Sequence, residues 1–254
     1  RPAVLYDGAD GRALLDSDRL SAAVARIRPD RAAVDPEEDR PAPSPGGGTA
    51  EGDTTHLCAA DADGLGVSLT QSNALDFGSH LVAGSTGVFL HNRGVGFSLV
   101  EGHPAELTPG RRPPHTLSPM VAVAPDGAPV HLLGAMGGDA QPQVLLQLVA
   151  RLLRCGQDPA TALAAARFSL DAPAAGPFRL WWGERQVNLE GHAPPEWAPG
   201  LAARGHRVRS ISAFDPVAVG CAQVIRIDGT PDGQGWSFTG AADPRSPDGG
   251  TAVR

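Results

Sequence analysis

The sequence predicts an α+β layered fold, in which strands come first, two helices follow and further strands close the chain. Three observations lead to this prediction. Strand patterns begin at Thr54, apolar residues recur at helical spacing after Gln143, and strand patterns return from Phe178 onward. With 254 residues the chain is long enough to bury a sizeable core as one domain.

The first part of the chain differs in composition from the rest, and we expect residues 1–53 to form a separate unit. A helix is predicted at 16–27. Its signals are Leu20, Val24 and Ile27 at helical spacing, with Asp16 or Ser17 as the cap. Residues 35–53 are rich in Pro, Gly and acidic side chains, which predicts a flexible linker that is open to cleavage. The folded unit is therefore 54–254.

The segment that follows the linker predicts a β-hairpin, with strands at 54–60 and 66–71. The connecting residues 61–64 end in an Asp-Gly pair, which is typical of tight hairpin turns. Further strands are predicted at 85–91, 120–124, 130–134, 178–182, 208–211, 217–227 and 236–241.

Two central helices are predicted, at 143–155 and 160–168. The first has one apolar face, and Gly156 can end it. The residues of that face are Val144, Leu145, Leu148, Val149 and Leu152. The second helix is rich in alanine and begins behind Pro159, which suits the first turn of a helix. A shorter helix is predicted around 196–204.

Composition excludes several classes of partner. The formal net charge is −7 and the arginines are scattered, so no nucleic-acid partner is expected. No run of about 18 or more apolar residues occurs, so no membrane partner is expected. No signal peptide is visible, which favours the cytoplasm over secretion. The three cysteines lack metal-ligand spacing, so they predict buried free thiols rather than a metal site.

Asp53 and Thr54 join the predicted linker to the first predicted strand. A threonine hydroxyl needs a nearby base to become a nucleophile, and cleavage just before the threonine supplies its own α-amino group. That amine has a pKa of about 7.7–8.0, so it accepts protons near neutral pH. The junction is therefore typical of an N-terminal threonine nucleophile before cleavage. The alternative is that Thr54 merely begins a strand, where threonine is favoured.

Several short motifs follow this junction along the chain. They are Gln71-Ser72-Asn73, Phe77-Gly78-Ser79, Thr86-Gly87, Asn92-Arg93-Gly94, Phe97-Ser98-Leu99, Pro109-Gly110-Arg111-Arg112-Pro113, His115-Thr116, Gly134-Ala135-Met136-Gly137-Gly138, Gln141-Pro142-Gln143 and Asp243-Pro244-Arg245. Together with Gly52-Asp53-Thr54-Thr55-His56, this series resembles the catalytic part of a γ-glutamyltransferase-family N-terminal-nucleophile hydrolase, across residues 52–254. More narrowly, it resembles the bacterial branch that contains oxamate amidohydrolase. Residues 1–51 resemble the last helix and linker of the family's preceding subunit.

The resemblance implies a four-layer αββα sandwich that is incomplete without an upstream large-subunit segment, whether in the same precursor or on a separate chain. It implies self-cleavage between Asp53 and Thr54, after which the Thr54 hydroxyl attacks a small-molecule amide and forms an acyl-enzyme. Water is the usual acceptor, and transfer to an amino acid stays open. No metal or organic cofactor is implied. A homo-oligomer of heterodimers also stays open, and residues 1–254 alone are expected to be a poor enzyme.

The other catalytic positions implied by the resemblance are Ser72, Gly137 and Gly138. The Ser72 hydroxyl would orient the nucleophile, and Thr70 projects from the same strand face two residues away. Successive glycines let backbone N–H groups approach a ligand closely, and in the family this pair forms the oxyanion hole. The alternatives are an exposed polar strand face for Thr70 and Ser72, and a simple turn for the glycines.

The predicted substrate-binding residues are Thr70, Asn73, Arg93, His115 and Thr116. Arg93 suits a two-pronged contact with a carboxylate, although it is equally compatible with a surface arginine. The pair His115-Thr116 stands where γ-glutamyltransferases carry a Ser-Ser pair that holds the substrate's α-carboxylate, although an isolated histidine in a turn is often structural.

Two departures from the family pattern bear on the substrate. Gly96 stands where γ-glutamyltransferases carry an acidic residue for the substrate's α-amino group, and Ala74 stands where they carry Asn. Without a counter-charge, a γ-glutamyl substrate loses a charge-assisted bond of about 1.5–3 kcal/mol. We therefore expect acyl groups with a carboxylate and no amine, such as oxamate, glutaryl or succinyl-like amides, ahead of glutathione.

A second interpretation is a non-catalytic or truncated remnant of the family that acts as a binding or assembly module. Self-cleavage separates the two interpretations. Fragments 1–53 and 54–254 would indicate the enzyme, and a chain that stays intact would indicate the module.

Overall fold

The computed structural model describes most of the chain. The described residues are 13, 15–32, 54–75, 77–103, 105–171, 186–229 and 235–253. The predicted linker at 35–53, which includes Asp53, and the predicted strand at 178–182 lie outside these ranges. No helix in the described parts is both long enough and apolar enough to cross a membrane.

The described residues form five α-helices and nine strands. The helices are α1 (Ser17–Ala25), α2 (Gln141–Val149), α3 (Pro159–Ala164), α4 (Trp197–Ala203) and α5 (Pro216–Val219). The strands are β1 (Thr54–Ala60), β2 (Gly66–Ser72), β3 (Met120–Val123), β4 (Pro129–Ala135), β5 (Phe168–Asp171), β6 (Gln186–Glu190), β7 (Val208–Ile211), β8 (Ala222–Gly229) and β9 (Trp236–Ala242). The predicted cap of the first helix is confirmed, since the Asp16 carboxylate accepts N–H bonds from Asp18 and Arg19.

The strands form three sheets. β1 and β2 make an antiparallel hairpin whose register runs from Thr54↔Ser72 to Ala60↔Gly66. A four-stranded antiparallel sheet has the order β3-β4-β8-β9. A three-stranded sheet has the order β5-β6-β7, in which β6 and β7 are parallel. Helices packed with mainly antiparallel sheets confirm the predicted α+β class.

The layers stack on the four-stranded sheet. The hairpin covers one face of that sheet, where a Cβ on Gly66 would lie 2.8 Å from a methyl group of Leu132, so a larger residue would have to displace that side chain. Helices α2 and α3 cover the other face and form the main hydrophobic core with β4 and β8. The core residues are Leu133, Ala135, Ala140, Val144, Leu145, Leu148, Leu152, Ala162, Leu163, Ala222 and Val224. The described residues thus provide a β, a β and an α layer.

The outer face of the hairpin is apolar and exposed. Leu57, Val67 and Leu69 point away from the four-stranded sheet, and each exposes nearly half of its surface. No helix of the described residues covers them, and α1 itself has no buried residue. The outer helical layer of the predicted four-layer sandwich is therefore not formed by this part of the chain.

A buried ionic cluster, made by Arg167, Glu190, Asp243 and Arg245, ties the end of the chain to the core. Arg167 Nη2 lies 2.6 Å from Asp243 Oδ2. Arg245 contacts both carboxylates, with Nε 2.9 Å from Glu190 Oε1 and Nη1 3.0 Å from Asp243 Oδ1. All four side chains are essentially inaccessible to water. The motif Asp243-Pro244-Arg245 therefore has a structural role that sequence alone did not assign.

The predicted strand at 85–91 is wrong. The chain reverses there, because Gly84 and Gly87 adopt positive φ angles of 53° and 73° and the Thr86 N–H bonds back to Ala83 O. In place of the predicted strand, residues 88–90 bond back to residues 79–83 through three backbone hydrogen bonds and one isolated bridge, Val82↔Phe89. Alternating apolar residues thus gave a strand signal that the glycines override.

Other predicted boundaries also need correction. The second central helix ends at Ala164 rather than 168, because Arg167 turns inward to its ionic cluster and Phe168 begins β5. The predicted strand at 217–227 starts with the short helix α5, which Asp215 caps by accepting the Val217 and Ala218 N–H groups. Strands β5 and β6 were not predicted. Cys155 is exposed, contrary to the prediction of buried thiols, whereas Cys221 is buried.

Candidate active site

The inward face of the β1–β2 hairpin is polar, which is unusual for a strand face that packs on another sheet. Alternate residues of both strands point toward β4 and β8 and are half-buried or buried. They include Thr54, His56, Cys58, Ser68, Thr70 and Ser72. Period-2 alternation fixes this face, so the alternative interpretation of Thr70 and Ser72 as part of a solvent-exposed strand face does not hold.

Thr54 is the first residue of β1, and Ser72 is its cross-strand partner. The two hydroxyl oxygens lie 3.0 Å apart, within hydrogen-bond distance. Ser72 Oγ also accepts a 3.0 Å bond from the Ala74 N–H. That second donor restricts the Ser72 hydroxyl, so its position relative to Thr54 is well defined. A residue at the start of a strand, held by a fixed hydroxyl, is suited to nucleophilic chemistry once the chain before it is removed.

Behind this pair lies a buried histidine. The ring of His56 has Nδ1 2.8 Å from Thr70 Oγ1 and Nε2 3.2 Å from Cys58 Sγ. The ring lies on the backbone of Gly134, where any side chain would overlap it. Thr70, which we predicted to bind substrate, thus has its hydroxyl engaged with His56, and its substrate role stays a prediction.

Burial lowers the pKa of His56 to about 4, so the ring is neutral at physiological pH. Burial also raises the pKa of the Cys58 thiol to about 11, so the neighbouring sulfur is a neutral thiol. The His56 and Cys58 side chains next to Thr54 on this face are therefore uncharged at neutral pH.

The lowered pKa of His56 makes the free energy of unfolding depend on pH. The unfolded chain binds a proton on His56 below about pH 6.5, whereas the folded protein does so only near pH 4. Stability from this group is therefore complete above pH 6.5 and is lost as the pH falls toward 4, by up to about 3 kcal/mol.

We expect His56→Gln to reduce the difference between the unfolding free energies at pH 7.5 and pH 5, as measured by urea denaturation. If the difference is unchanged in that variant, His56 is not the group that causes this pH dependence. His131, whose pKa is also lowered by burial, contributes in the same direction, so some pH dependence should remain.

The hairpin is aligned so that the Thr54–Ser72 pair lies toward the end of β4. Gly66 lies over Leu132, and Ser68 Oγ donates to Leu133 O over 3.0 Å. The next inward pair along the hairpin contains His56, which lies over Gly134. From this series we infer that the following inward pair, Thr54 and Ser72, lies over the end of β4, where the chain continues into the glycine pair.

The glycine pair has a backbone that other residues would not adopt. Gly137 and Gly138 have φ angles of 131° and 52°. A Cβ on Gly137 would lie 2.9 Å from the Cα of Gly220, whose own φ is 62°. The Met136 N–H donates to Cys221 O over 2.8 Å, so the loop is held against the start of β8. A rigid glycine turn between β4 and α2 is the geometry expected for backbone N–H groups that face a ligand.

Arg93 and His115 are neighbours. Arg93 begins a 3₁₀ turn, Arg93–Gly96, and its Nε donates to Pro114 O over 2.6 Å. Burial and the adjacent Arg93 cation lower the pKa of His115, so the imidazole is neutral beside a fixed positive charge. This arrangement suits an anionic ligand, for which Arg93 supplies the charge and His115 a hydrogen bond. Thr116 is buried in the same loop.

Asn73 connects the two halves of the candidate site. Its backbone carbonyl accepts the N–H of Asn92 over 3.0 Å, and Asn92 directly precedes Arg93. This bond links the end of β2, which carries Ser72, to the loop that carries Arg93. The departures noted above lie here too, since Ala74 is buried with φ 80° and Gly96 closes the turn that Arg93 begins.

Two residues near this site, His56 and Asn92, belong to the sequence motifs, but no role was predicted for them. His56 stands two residues after Thr54, so strand periodicity could have placed it on the same face. Asn92 acts through its side-chain contacts with a distant loop, and no local pattern signals such contacts.

The chain and its fold are similar to those of several known proteins. The structure matches that of cephalosporin acylase from Bacillus halodurans with a TM-score of 0.73 and 31% identity, covering 96% of this chain and 39% of that one. The chain is 35% identical over 215 residues to the glutathione hydrolase-like YwrD proenzyme of Bacillus subtilis (strain 168), covering 83% of this chain. It is also 35% identical over 215 residues to the oxamate amidohydrolase proenzyme of Klebsiella pneumoniae, covering 84% of this chain.

The fold is therefore that of the N-terminal nucleophile hydrolases. Residues 8–253 match the family model of gamma-glutamyltranspeptidase, and the chain belongs to that family. It spans 36% and 38% of the length of the two proenzymes.

Proposed function

We propose that this chain is the catalytic part of a self-processing amide hydrolase that can also transfer acyl groups, with Thr54 as its nucleophile. The observation that carries the proposal is the 3.0 Å contact between Thr54 Oγ1 and Ser72 Oγ at the first residue of β1. Family membership supports this chemistry, since the relatives named above are an amidohydrolase, an acylase and a glutathione hydrolase-like protein.

Maturation comes first. The Thr54 hydroxyl attacks the carbonyl carbon of Asp53, the peptide C–N bond breaks, and the nitrogen takes the hydroxyl proton to become the α-amine of Thr54. Water then hydrolyses the resulting ester, which releases a carboxylate at Asp53 and restores the Thr54 hydroxyl. The products are 1–53, a tail and linker of a large-subunit-like segment, and 54–254, the catalytic domain.

Catalysis uses the new amine as its base. The amine accepts the hydroxyl proton as Thr54 Oγ1 attacks the substrate amide carbonyl, and Ser72 holds that oxygen in line. The N–H groups of Gly137 and Gly138 stabilise the oxyanion, and losing one such donor typically raises the barrier by about 2.7–4 kcal/mol. The amine then protonates the leaving nitrogen. Water, or an acceptor amine, then attacks the carbonyl of the acyl-enzyme. The Thr54 α-amine takes a proton from the attacking group and returns it to Thr54 Oγ1 as the ester bond breaks.

The substrate class follows from the charges beside this centre. Arg93 supplies a fixed cation and His115 stays neutral, as described above, so a carboxylate on the acyl group is bound favourably. At the position of Gly96 no side chain is present to pair with an ammonium group. We therefore infer a small carboxylate-bearing amide of the oxamate, glutaryl or succinyl type, with Asn73, Thr70 and Thr116 completing the pocket.

A large-subunit segment is the proposed partner of this chain. The longer proenzyme relatives and the exposed apolar outer face of the hairpin both support a segment that covers Leu57, Val67 and Leu69. Activity is therefore best measured on the protein expressed from its complete natural reading frame.

The experiment that tests the function is mass spectrometry of the purified protein during incubation. Cleavage between Asp53 and Thr54, followed by release of amine from a carboxylate-bearing amide, is the expected result. A chain that stays intact and inactive would instead favour a binding or assembly module built on the same fold.

Substrate preference gives a separate prediction. We expect kcat/KM for glutaryl p-nitroanilide to exceed that for γ-glutamyl p-nitroanilide by about 10-fold or more, because the ammonium group lacks a partner. Gly96→Asp should narrow this ratio by restoring a counter-charge, and both rates are read from p-nitroaniline release. Efficient γ-glutamyl turnover by the parent protein would show that Gly96 does not decide the substrate.

A further inference from the structure

The side chain of Asn92 makes three hydrogen bonds to one loop. Its Oδ1 accepts the Leu75 N–H over 2.9 Å, and its Nδ2 donates to Leu75 O over 3.2 Å. The second Nδ2 proton is donated to Gly78 O over 2.9 Å. The amide therefore pairs with Leu75 as a neighbouring strand would, although neither residue belongs to a strand.

The backbone of Asn92 strengthens the same connection. Its N–H donates to Asn73 O over 3.0 Å, and its carbonyl accepts the Val95 N–H over 3.0 Å to close the turn that begins at Arg93. Asn73 directly follows Ser72, and Arg93 directly follows Asn92. One residue therefore connects the segment that holds the nucleophile to the segment that carries the cation.

The loop that Asn92 holds is strained. Ala74 adopts a φ of 80°, which is unfavourable for a residue with a Cβ, and its N–H donates to Ser72 Oγ over 3.0 Å. Such a conformation persists only when its surroundings enforce it. Leu75 directly follows Ala74, and the three side-chain bonds from Asn92 to Leu75 and Gly78 hold the loop in this conformation.

We propose that Asn92 is a positioning residue that fixes the separation between the Arg93 guanidinium and the Thr54–Ser72 hydroxyl pair, and thereby selects the length of the acyl group. This inference rests on the proposed function, in which the carboxylate is bound by Arg93 and the amide carbonyl by Thr54. With both ends held, only acyl chains whose carboxylate and carbonyl match the fixed separation react efficiently.

The test is a series of p-nitroanilides whose acyl groups are oxalyl, malonyl, succinyl, glutaryl and adipoyl. A pocket that fixes both ends should discriminate neighbouring lengths by about 10-fold or more in kcat/KM, since one methylene is worth 10–200-fold in a closely fitting site. Each substrate is assayed with the parent protein and its variants, expressed from the complete natural reading frame.

Two variants of Asn92 are informative. Asn92→Asp keeps the shape but turns a carboxylate oxygen toward Leu75 O and Gly78 O, and Asn92→Ala removes the side chain if the first variant fails to fold. We expect either change to flatten the length profile to within about 3-fold between neighbours. Ser79→Ala is the matched control, because Ser79 Oγ also bonds between these two segments, 2.8 Å from Leu90 O, but not next to Arg93. It should keep the parent profile.

The possible outcomes separate the inference from the function beneath it. If Asn92 variants lower turnover equally at every length and keep the parent profile, Asn92 is merely structural and the inference is wrong. If the parent protein shows no preference for acyl length, the proposed substrate site is wrong and the inference falls with it. The same follows if the Arg93→Ala variant prefers carboxylate-bearing acyl groups as strongly as the parent protein does. A flattened profile in the Asn92 variants, with Ser79→Ala unchanged, supports both.

Discussion

Thr54→Ala is expected to leave the chain uncleaved and to lower amide hydrolysis by about 10⁴- to 10⁶-fold, which is the effect of removing the nucleophile in comparable hydrolases. The variant lacks Thr54 Oγ1, which lies 3.0 Å from Ser72 Oγ, and it retains the backbone pairing of β1 and β2. Intact-mass analysis reports cleavage, and p-nitroaniline release reports turnover.

Thr55→Ala is the matched control for that experiment. Thr55 is the next residue on the same strand, but it points to the exposed outer face. We expect Thr55→Ala to mature and to retain turnover within about 2-fold, as is usual for an exposed substitution far from any buried contact. If the Thr55→Ala variant is not cleaved and the Thr54→Ala variant is, the nucleophile is Thr55 and the assignment of Thr54 is wrong.

Asp243→Asn has the largest expected effect on stability. The Asp243 carboxylate accepts bonds from the Ala222 and Arg245 N–H groups and pairs with the guanidinium groups of Arg167 and Arg245. An amide would turn an NH₂ group toward these donors and leave a buried cation without its partner. We expect a loss of about 3–5 kcal/mol in the free energy of unfolding, which is a large share of the stability of a typical domain.

Asp228→Asn is the control for that substitution. Asp228 Oδ2 also lies 2.7 Å from an arginine, Arg226 Nε, but both side chains are exposed. Its loss should change the unfolding free energy by less than about 1 kcal/mol, because solvent screens exposed pairs. Urea denaturation of both variants measures the contrast. If the two substitutions change the unfolding free energy equally, burial of the ionic cluster does not determine how much it contributes to stability.

The ionic cluster also bears on the candidate site. Arg167 Nη1 donates to Gly220 O over 3.2 Å, and Gly220 packs against Gly137. The Ala222 N–H is held by Asp243 at 2.8 Å. The cluster therefore supports the backbone segment on which the glycine turn rests, so Asp243→Asn should slow maturation as well as reduce stability.

The part of the site that could be predicted from sequence is the part that local rules determine. The Asp-Gly turn centred near Asp63 fixes the register of the hairpin, and that register makes Thr54 and Ser72 partners. Period-2 alternation then places both on the inward face. The helix after the glycine turn also follows from local apolar spacing, and α2 lies where it was expected.

The unpredicted part depends on contacts between residues that are distant in sequence. Glu190 and Arg245 are each typical of solvated side chains, and only their meeting across 55 residues allows both to be buried. The burial of His56 depends on Gly134, which no local signal connects to it. The strand predicted at 85–91 failed for the opposite reason, because local alternation was present but glycine backbone conformations prevented extended pairing.

The most direct test of Thr54 as the nucleophile is to trap the acyl-enzyme. The matured protein is mixed with glutaryl p-nitroanilide, quenched in acid during turnover, digested and analysed by peptide mass spectrometry. We predict a glutaryl group esterified to the Thr54 hydroxyl of a peptide whose first residue is Thr54. A glutaryl group on any other side chain, or turnover from a protein whose Thr54 is still joined to Asp53, would contradict it.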